Sequence, residues 1–260
     1  MIHSTSKGNK KQKKHSFRLW AILLLIALWQ GLAMIIGQEL LLASPVSVFL
    51  RLFTLAAEPD FWQAIGFTFF RISAGFLAAL ILGVLLAALC KRFTHLGELF
   101  DPLMAVMKST PVASITIIIL IWIPSRNLSL ILSVIMVLPI IYTNVKIGIE
   151  NVSFELLEMA EVFRIPFLRR LRFVYIPEIM PYFRSACKIS IGMCWKAGIA
   201  AEVIGIPAGS IGEKLYKSKI YLETPSLFAW TLVIILLSVV FEKAFIFALD
   251  KITGRFYEAH

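Results

Sequence analysis

At 260 residues, 59% of them hydrophobic and with a mean hydropathy of +0.83, the chain is more apolar than a soluble domain, which carries about 45–50% apolar residues. Its net charge of +10 is concentrated, because residues 1–18 hold six Lys and Arg and no acid. Together with three Cys that form no C-x-x-C pair, this excludes a single soluble α/β enzyme domain, a disulfide scaffold, a disordered chain and a nucleic-acid-binding face, and leaves an integral membrane protein.

Residues 1–18 read as a basic cytoplasmic tail held to anionic inner-leaflet lipid, at about 1 kcal/mol per basic residue. The apolar run 19–37 has no small-residue cleavage site and reads as a signal anchor and first transmembrane helix. A core from 44 to 250 follows, with transmembrane helices expected near 66–90, 104–123, 127–146, 181–205 and 225–249. Backbone polar groups find no water in lipid, so only helices or closed barrels span it. These runs are of helix length and lack a two-residue alternation. The expected fold is all-α and polytopic, with about six spans.

Lys and Arg orient the chain. With both termini cytoplasmic, the inner segments carry seventeen and the outer segments five. Lys214, Lys217 and Lys219, expected outside, are the one local disagreement.

Catalytic chemistry is not written in these spans. His3, His15, His95 and His260 all fall in tails or a short loop, and there is no H-E-x-x-H or G-x-S-x-G. There is also no G-x-x-x-x-G-K-[ST] phosphate loop, so if ATP drives this protein, another chain must bind it. No metal site, catalytic residue or bound cofactor is expected. Cys90, Cys187 and Cys194 read as small buried hydrophobes.

The longest cytoplasmic loop, 146–180, is unusually patterned. Ser153 is placed as an N-cap with Glu155 in the first turn of a helix. Leu156, Leu157, Ala160 and Phe163 or Phe167 form an apolar stripe opposed by Glu155, Glu158 and Glu161. Pro166 ends that helix at Ile165. A second short helix is expected from 167 to 175, with Arg169, Arg170 and Arg172, before Pro177 and Pro181 break the chain. Physics alone leaves two readings open: an amphipathic helix resting on lipid, or one docked in a groove of a soluble partner.

The spacing Glu158-Met159-Ala160, Ile176-Pro177 and Pro181 resembles the EAA motif of ABC-importer permeases. Two positions depart from it. Met159 replaces an Ala, and Arg164 stands where the family has Gly, which leaves Pro166 to supply the bend. Over 44–250 the chain also resembles the nitrate, sulfonate and taurine branch. Ser44-Pro45, Asp101-Pro102-Leu103, the Pro111 helix ending in Ile121-Trp122, and Ala201-Glu202 ahead of Gly205 carry that likeness.

The resemblance implies a type I importer permease in a bacterial inner membrane, paired as a homodimer over two copies of a cytoplasmic ATPase subunit. ATP and Mg would be used there, and an extracellular or periplasmic binding protein would deliver the solute. Residues 153–176 would be the coupling helices, with Leu157, Ala160 and Phe163 as apolar anchors. Glu158, Met159, Arg164 and Pro166 would complete the contact, and Pro177 and Pro181 would be structural. The expected solute is a small anion such as a sulfonate, nitrate or taurine, with vitamin-precursor heterocycles also open.

Ionisable groups inside spans are costly, roughly 2.5–3.5 kcal/mol each at a helix centre, so they line cavities or find partners. Lys196, Glu202, Trp195 and Lys108 are the candidate translocation path. Lys196 and Glu202 stand about 120° apart on one helix and should not pair. For both, lining the path and being satisfied by neighbouring helices remain open. Lys108 and Lys188 are expected to snorkel to the inner interface and Arg71 to the outer one. The alternative function is a stand-alone ion-coupled secondary transporter using Lys196 and Glu202. It leaves the cytoplasmic helices unexplained.

Overall fold

The computed structural model describes residues 19–258. The basic tail and its expected lipid contact lie outside them. The order is α1 (Leu19–Ile36), α2 (Pro45–Ala56), α3 (Pro59–Arg92), α4 (Thr94–Ser109), α5 (Val112–Leu120), α6 (Leu128–Glu150), α7 (Phe154–Val162), α8 (Phe167–Arg170), α9 (Ile176–Gly205), α10 (Ile211–Ile220) and α11 (Thr224–Glu258). Among the described residues there is no strand.

The centre of the bundle is α3 against α6 and α9. Along α3 the buried positions Ala64, Thr68, Ile72, Phe76, Ala79, Gly83 and Ala87 recur every three or four residues, one stripe of a helix. Small residues let the backbones close up, the usual solution where lipid offers no hydrophobic drive. A Cβ on Gly75 would lie 2.4 Å from the Leu130 carbonyl oxygen, and one on Gly198 would lie 2.7 Å from Ile72 Cδ1. Cys90, Cys187 and Cys194 are buried free thiols in this packing.

Among the described residues, three helices are long and apolar enough to cross a bilayer, within Pro59–Arg92, Ser125–Glu150 and Thr224–Gly254. The span expected near 104–123 is built from two helices that together are apolar enough to cross a bilayer. α4 and α5 meet at a break bent by 103°. Pro111 causes it. Proline has no N–H to continue the ladder and pushes the residue before it out of helical geometry, and Thr110 is extended at φ −76°, ψ 129°. The other expected spans lie in α1, which is shorter, and in α9, a 30-residue helix that carries internal charges.

Nor do Pro177 and Pro181 break the chain as expected. Residues Leu171–Tyr175 form one wide π-helical turn that runs straight into α9. Pro177 occupies the first turn of α9, where a missing N–H costs least, and Pro181 is carried inside it.

Two of the three lysines of α10 have acidic partners. Lys214 pairs with Asp60 at 3.3 Å, Lys217 with Glu213 at 2.7 Å, and Arg51 with Glu223 at 3.4 Å. Neighbouring acids thus offset much of this positive charge.

Candidate functional site: a helical elbow and a buried carboxyl

Local sequence sets both ends of α7. The Ser153 hydroxyl accepts the Leu156 N–H at 3.4 Å, the N-cap arrangement. It also donates to the Glu155 carboxylate, which holds that exposed carboxyl below its ordinary range. At the far end the Ile165 N–H reaches the Ala160 carbonyl and the Arg164 N–H reaches the Glu161 carbonyl, both at 2.9 Å. That pair of bonds is a Schellman stop, which requires a left-handed residue at the position Arg164 occupies. Arg164 complies, at φ 48°. The bend where related motifs have Gly therefore survives here with a side chain, at a cost of about 1 kcal/mol. Pro166 follows at once and prevents the helix from continuing.

Arg164→Gly is accordingly expected to leave the elbow in place and to slow amide exchange of residues 160–165 by roughly fivefold, the equivalent of that strain. Faster exchange would show that the arginine side chain, not the backbone conformation, holds the turn.

The face that α7 presents differs from the stripe expected. Ala160 is fully buried and Leu157 half-buried, so neither is an outward anchor. Instead Phe154 is 72% and Val162 74% exposed. With Glu158, also exposed, they recur every fourth residue along one outward face. Met159, Phe163, Phe167 and Leu168 add exposed apolar surface around the elbow. Both faces of this short helix carry apolar residues, so periodicity alone did not tell inner from outer. Position did give a signal for Phe154, which begins the helix directly after the cap.

Charge separates the two readings of this loop. α7 carries Glu155, Glu158 and Glu161 and no base, whereas helices that rest on anionic lipid are rich in Lys and Arg. The outward face of α7 suits a protein groove. The following segment, with Arg169, Arg170 and Arg172, suits a phosphate-rich surface.

Within the spans, the four candidate path residues have different fates. Trp195 is 1% exposed and packs against Phe69 and Phe241, with ring centroids 6.0 and 6.3 Å away. It belongs to the core, not to a path in this conformation, because the α3 and α11 aromatics close over it. Lys108 donates to the Thr143 hydroxyl of α6 at 2.7 Å. Arg71 donates to Asn127, at the start of α6, at 2.7 Å, with its guanidinium 4.7 Å from the centre of the Phe67 ring. Lys196 faces outward from α9 beside Ile189 and Met193, and makes no hydrogen bond or ion pair among the described residues.

Glu202 is fully buried and engaged. Its Oε2 accepts the Thr68 hydroxyl at 2.8 Å and the Gly212 N–H at 3.3 Å, and the Thr68 oxygen in turn accepts the Ile211 N–H at 3.0 Å. One carboxyl thereby joins α3, α9 and the first turn of α10, where helix N–H groups have no internal partners. Gly212 makes the approach possible, since a Cβ there would stand 2.3 Å from Glu202 Cβ and 2.5 Å from its carbonyl carbon. Thr68 and Gly212 were not singled out in the sequence. Nothing in local spacing connects positions 134 residues apart.

Comparison with known proteins adds an independent observation. Residues 79–251 match the family described as binding-protein-dependent transport system inner membrane component. The chain is similar to an aliphatic sulfonates transport permease protein named in Bacillus subtilis, at 25% identity over 79% of this chain and 75% of that one. It is similar to the nitrate import permease protein of Leptolyngbya laminosa, at 26% identity over 74% of this chain and 70% of that one. A bicarbonate transport system permease protein of Synechococcus elongatus is 27% identical over 55% of this chain and 52% of its own length.

Proposed function

The chain belongs to the family of binding-protein-dependent transport system inner membrane components, and from that premise we propose how this permease component of an ABC importer is driven and what it passes. It is a multi-pass membrane protein and not itself the enzyme. Two copies form a homodimer, with the loop between α6 and α9 in the cytoplasm, each copy seated on one ATPase subunit. An external binding protein supplies the solute.

The observation that supports the coupling role is the outward stripe Phe154, Glu158 and Val162 on a helix fixed at both ends. A capped and Schellman-terminated helix transmits displacement as a rigid piece, and its exposed apolar side chains provide the anchors that a groove buries. Closure of the ATPase subunits would then move α6 and α9 through α7, shifting a two-state membrane domain.

The solute is proposed to be a small anion. Sulfonates, nitrate and bicarbonate in the relatives' names share negative charge, and Lys196 supplies an uncompensated cation on α9. A lone ammonium is too costly to face lipid, so its side of α9 borders either a second copy or a water-filled path. The secondary-transporter alternative fares worse. Its coupling pair does not form, because Glu202 is bonded to Thr68 while Lys196 points away.

The test is Glu158→Lys in the assembled transporter. Uptake is expected to fall at least about tenfold while the protein remains inserted and ATP hydrolysis persists, because one charge reversed in a contact costs on the order of 1.4 kcal/mol or more. Undiminished uptake would remove Glu158 from the coupling surface.

A further inference from the structure

A second recess lies away from the outward stripe. Between the cytoplasmic end of α3, the end of α6 and the α8–α9 junction runs an open groove of about 670 Å³. Its floor and walls are apolar, including Val84, Ile149, Leu171 and Ile179, while Lys91 and Arg92 stand at one end. Both cations are exposed, and Lys91 makes no ion pair or hydrogen bond among the described residues. Arg92 closes α3. Val84 lies eight residues deeper, which at ~1.5 Å per residue is about 12 Å into the hydrocarbon. The groove therefore grades from cationic at headgroup level to apolar at chain level, which is the polarity profile of one phospholipid.

We propose that this groove binds an anionic phospholipid of the inner leaflet, its acyl chain along Val84 and Leu171 and its phosphate between Lys91 and Arg92. Basic pockets between membrane helices on the cytoplasmic side recognise anionic headgroups by this combination of charge and apolar depth. A soluble protein cannot follow the groove to Val84. The opposite wall, Phe167 and Leu171, is the base of the elbow, so the bound lipid braces the segment that carries α7. The leaflet assignment rests on the orientation proposed above; lipid binding itself does not.

The test is native mass spectrometry of the full chain purified with its associated subunits, titrated with phosphatidylglycerol and with phosphatidylcholine of the same acyl chains. The wild type is expected to retain phosphatidylglycerol about twenty-five-fold better, at roughly fivefold for each of the two cations. Lys91→Gln with Arg92→Gln should abolish the preference while leaving phosphatidylcholine retention unchanged. Ala88→Phe, which places a ring in the groove, should reduce both lipids. Equal retention of the two lipids by the wild type would overturn the proposal, as would a preference that survives both variants. Disulfide crosslinking of Ala88→Cys between two copies would give the groove to the second copy and overturn it too. Thiol labelling of Thr94→Cys from outside the cell would overturn the leaflet and the orientation, with lipid retention still read separately.

Discussion

Replacing Phe154 and Val162 together by alanine is expected to weaken association of this permease with its ATPase subunit about a hundredfold. Both side chains lie nearly three-quarters in solvent, so neither supports the fold to any extent. A buried aromatic anchor at an interface costs about 2 kcal/mol or more on truncation, a valine about 1, and each 1.4 kcal/mol is a factor of about ten. The melting temperature of the purified chain should barely move. Leu157→Ala supplies the contrast. Its side chain is half-buried on the inward face, so it should lower stability while changing association by no more than a few-fold. Co-purification and binding titration of the ATPase subunit against the three proteins measure both effects. A double variant that binds like the wild type, or a Leu157 variant that alone loses binding, would reverse the assignment of the two faces.

The largest loss of stability is expected from Gly212→Val. Its added carbon would collide with backbone and Cβ atoms of Glu202, and neither can move without displacing α9. Overpacking of a tight site costs about 1–3 kcal/mol and often more where backbone must shift. Glu202→Leu should follow, at about 2 kcal/mol, because it strands the Thr68 hydroxyl and the Gly212 N–H of α10 in a dry interior. Glu202→Gln keeps an acceptor for both bonds and should be the mildest of the three. Thermal unfolding of the purified full chain gives the order directly. If Gly212→Val melts with the wild type, α10 is not seated on α9, and Glu202 is not the residue that holds it.

These two sites answer to different kinds of information. The elbow was largely legible from sequence, because its determinants are local. A serine with a glutamate two residues on and a proline after the last turn act within a dozen residues, on the scale of one hydrogen-bonded turn. The same holds for the apolar runs and for the Lys and Arg asymmetry, both summed properties of short segments.

Tertiary structure decided which side of each helix meets a neighbour. α7 is apolar on two faces, and only its seat beneath Ala160 shows that Phe154 and Val162 look outward. Trp195 had the same composition whether it lined a path or filled a core, and the Phe69 and Phe241 rings settle it in the core. Pro177 forbids one N–H bond by itself, yet whether the chain breaks or widens into a π turn depends on what packs around it. Glu202 is the clearest instance. Its cost in lipid is evident from its chemistry, but its hydroxyl partner comes from Thr68 of α3, 134 residues away, and pairing across such a separation is set by packing of the whole bundle, which no window of sequence contains.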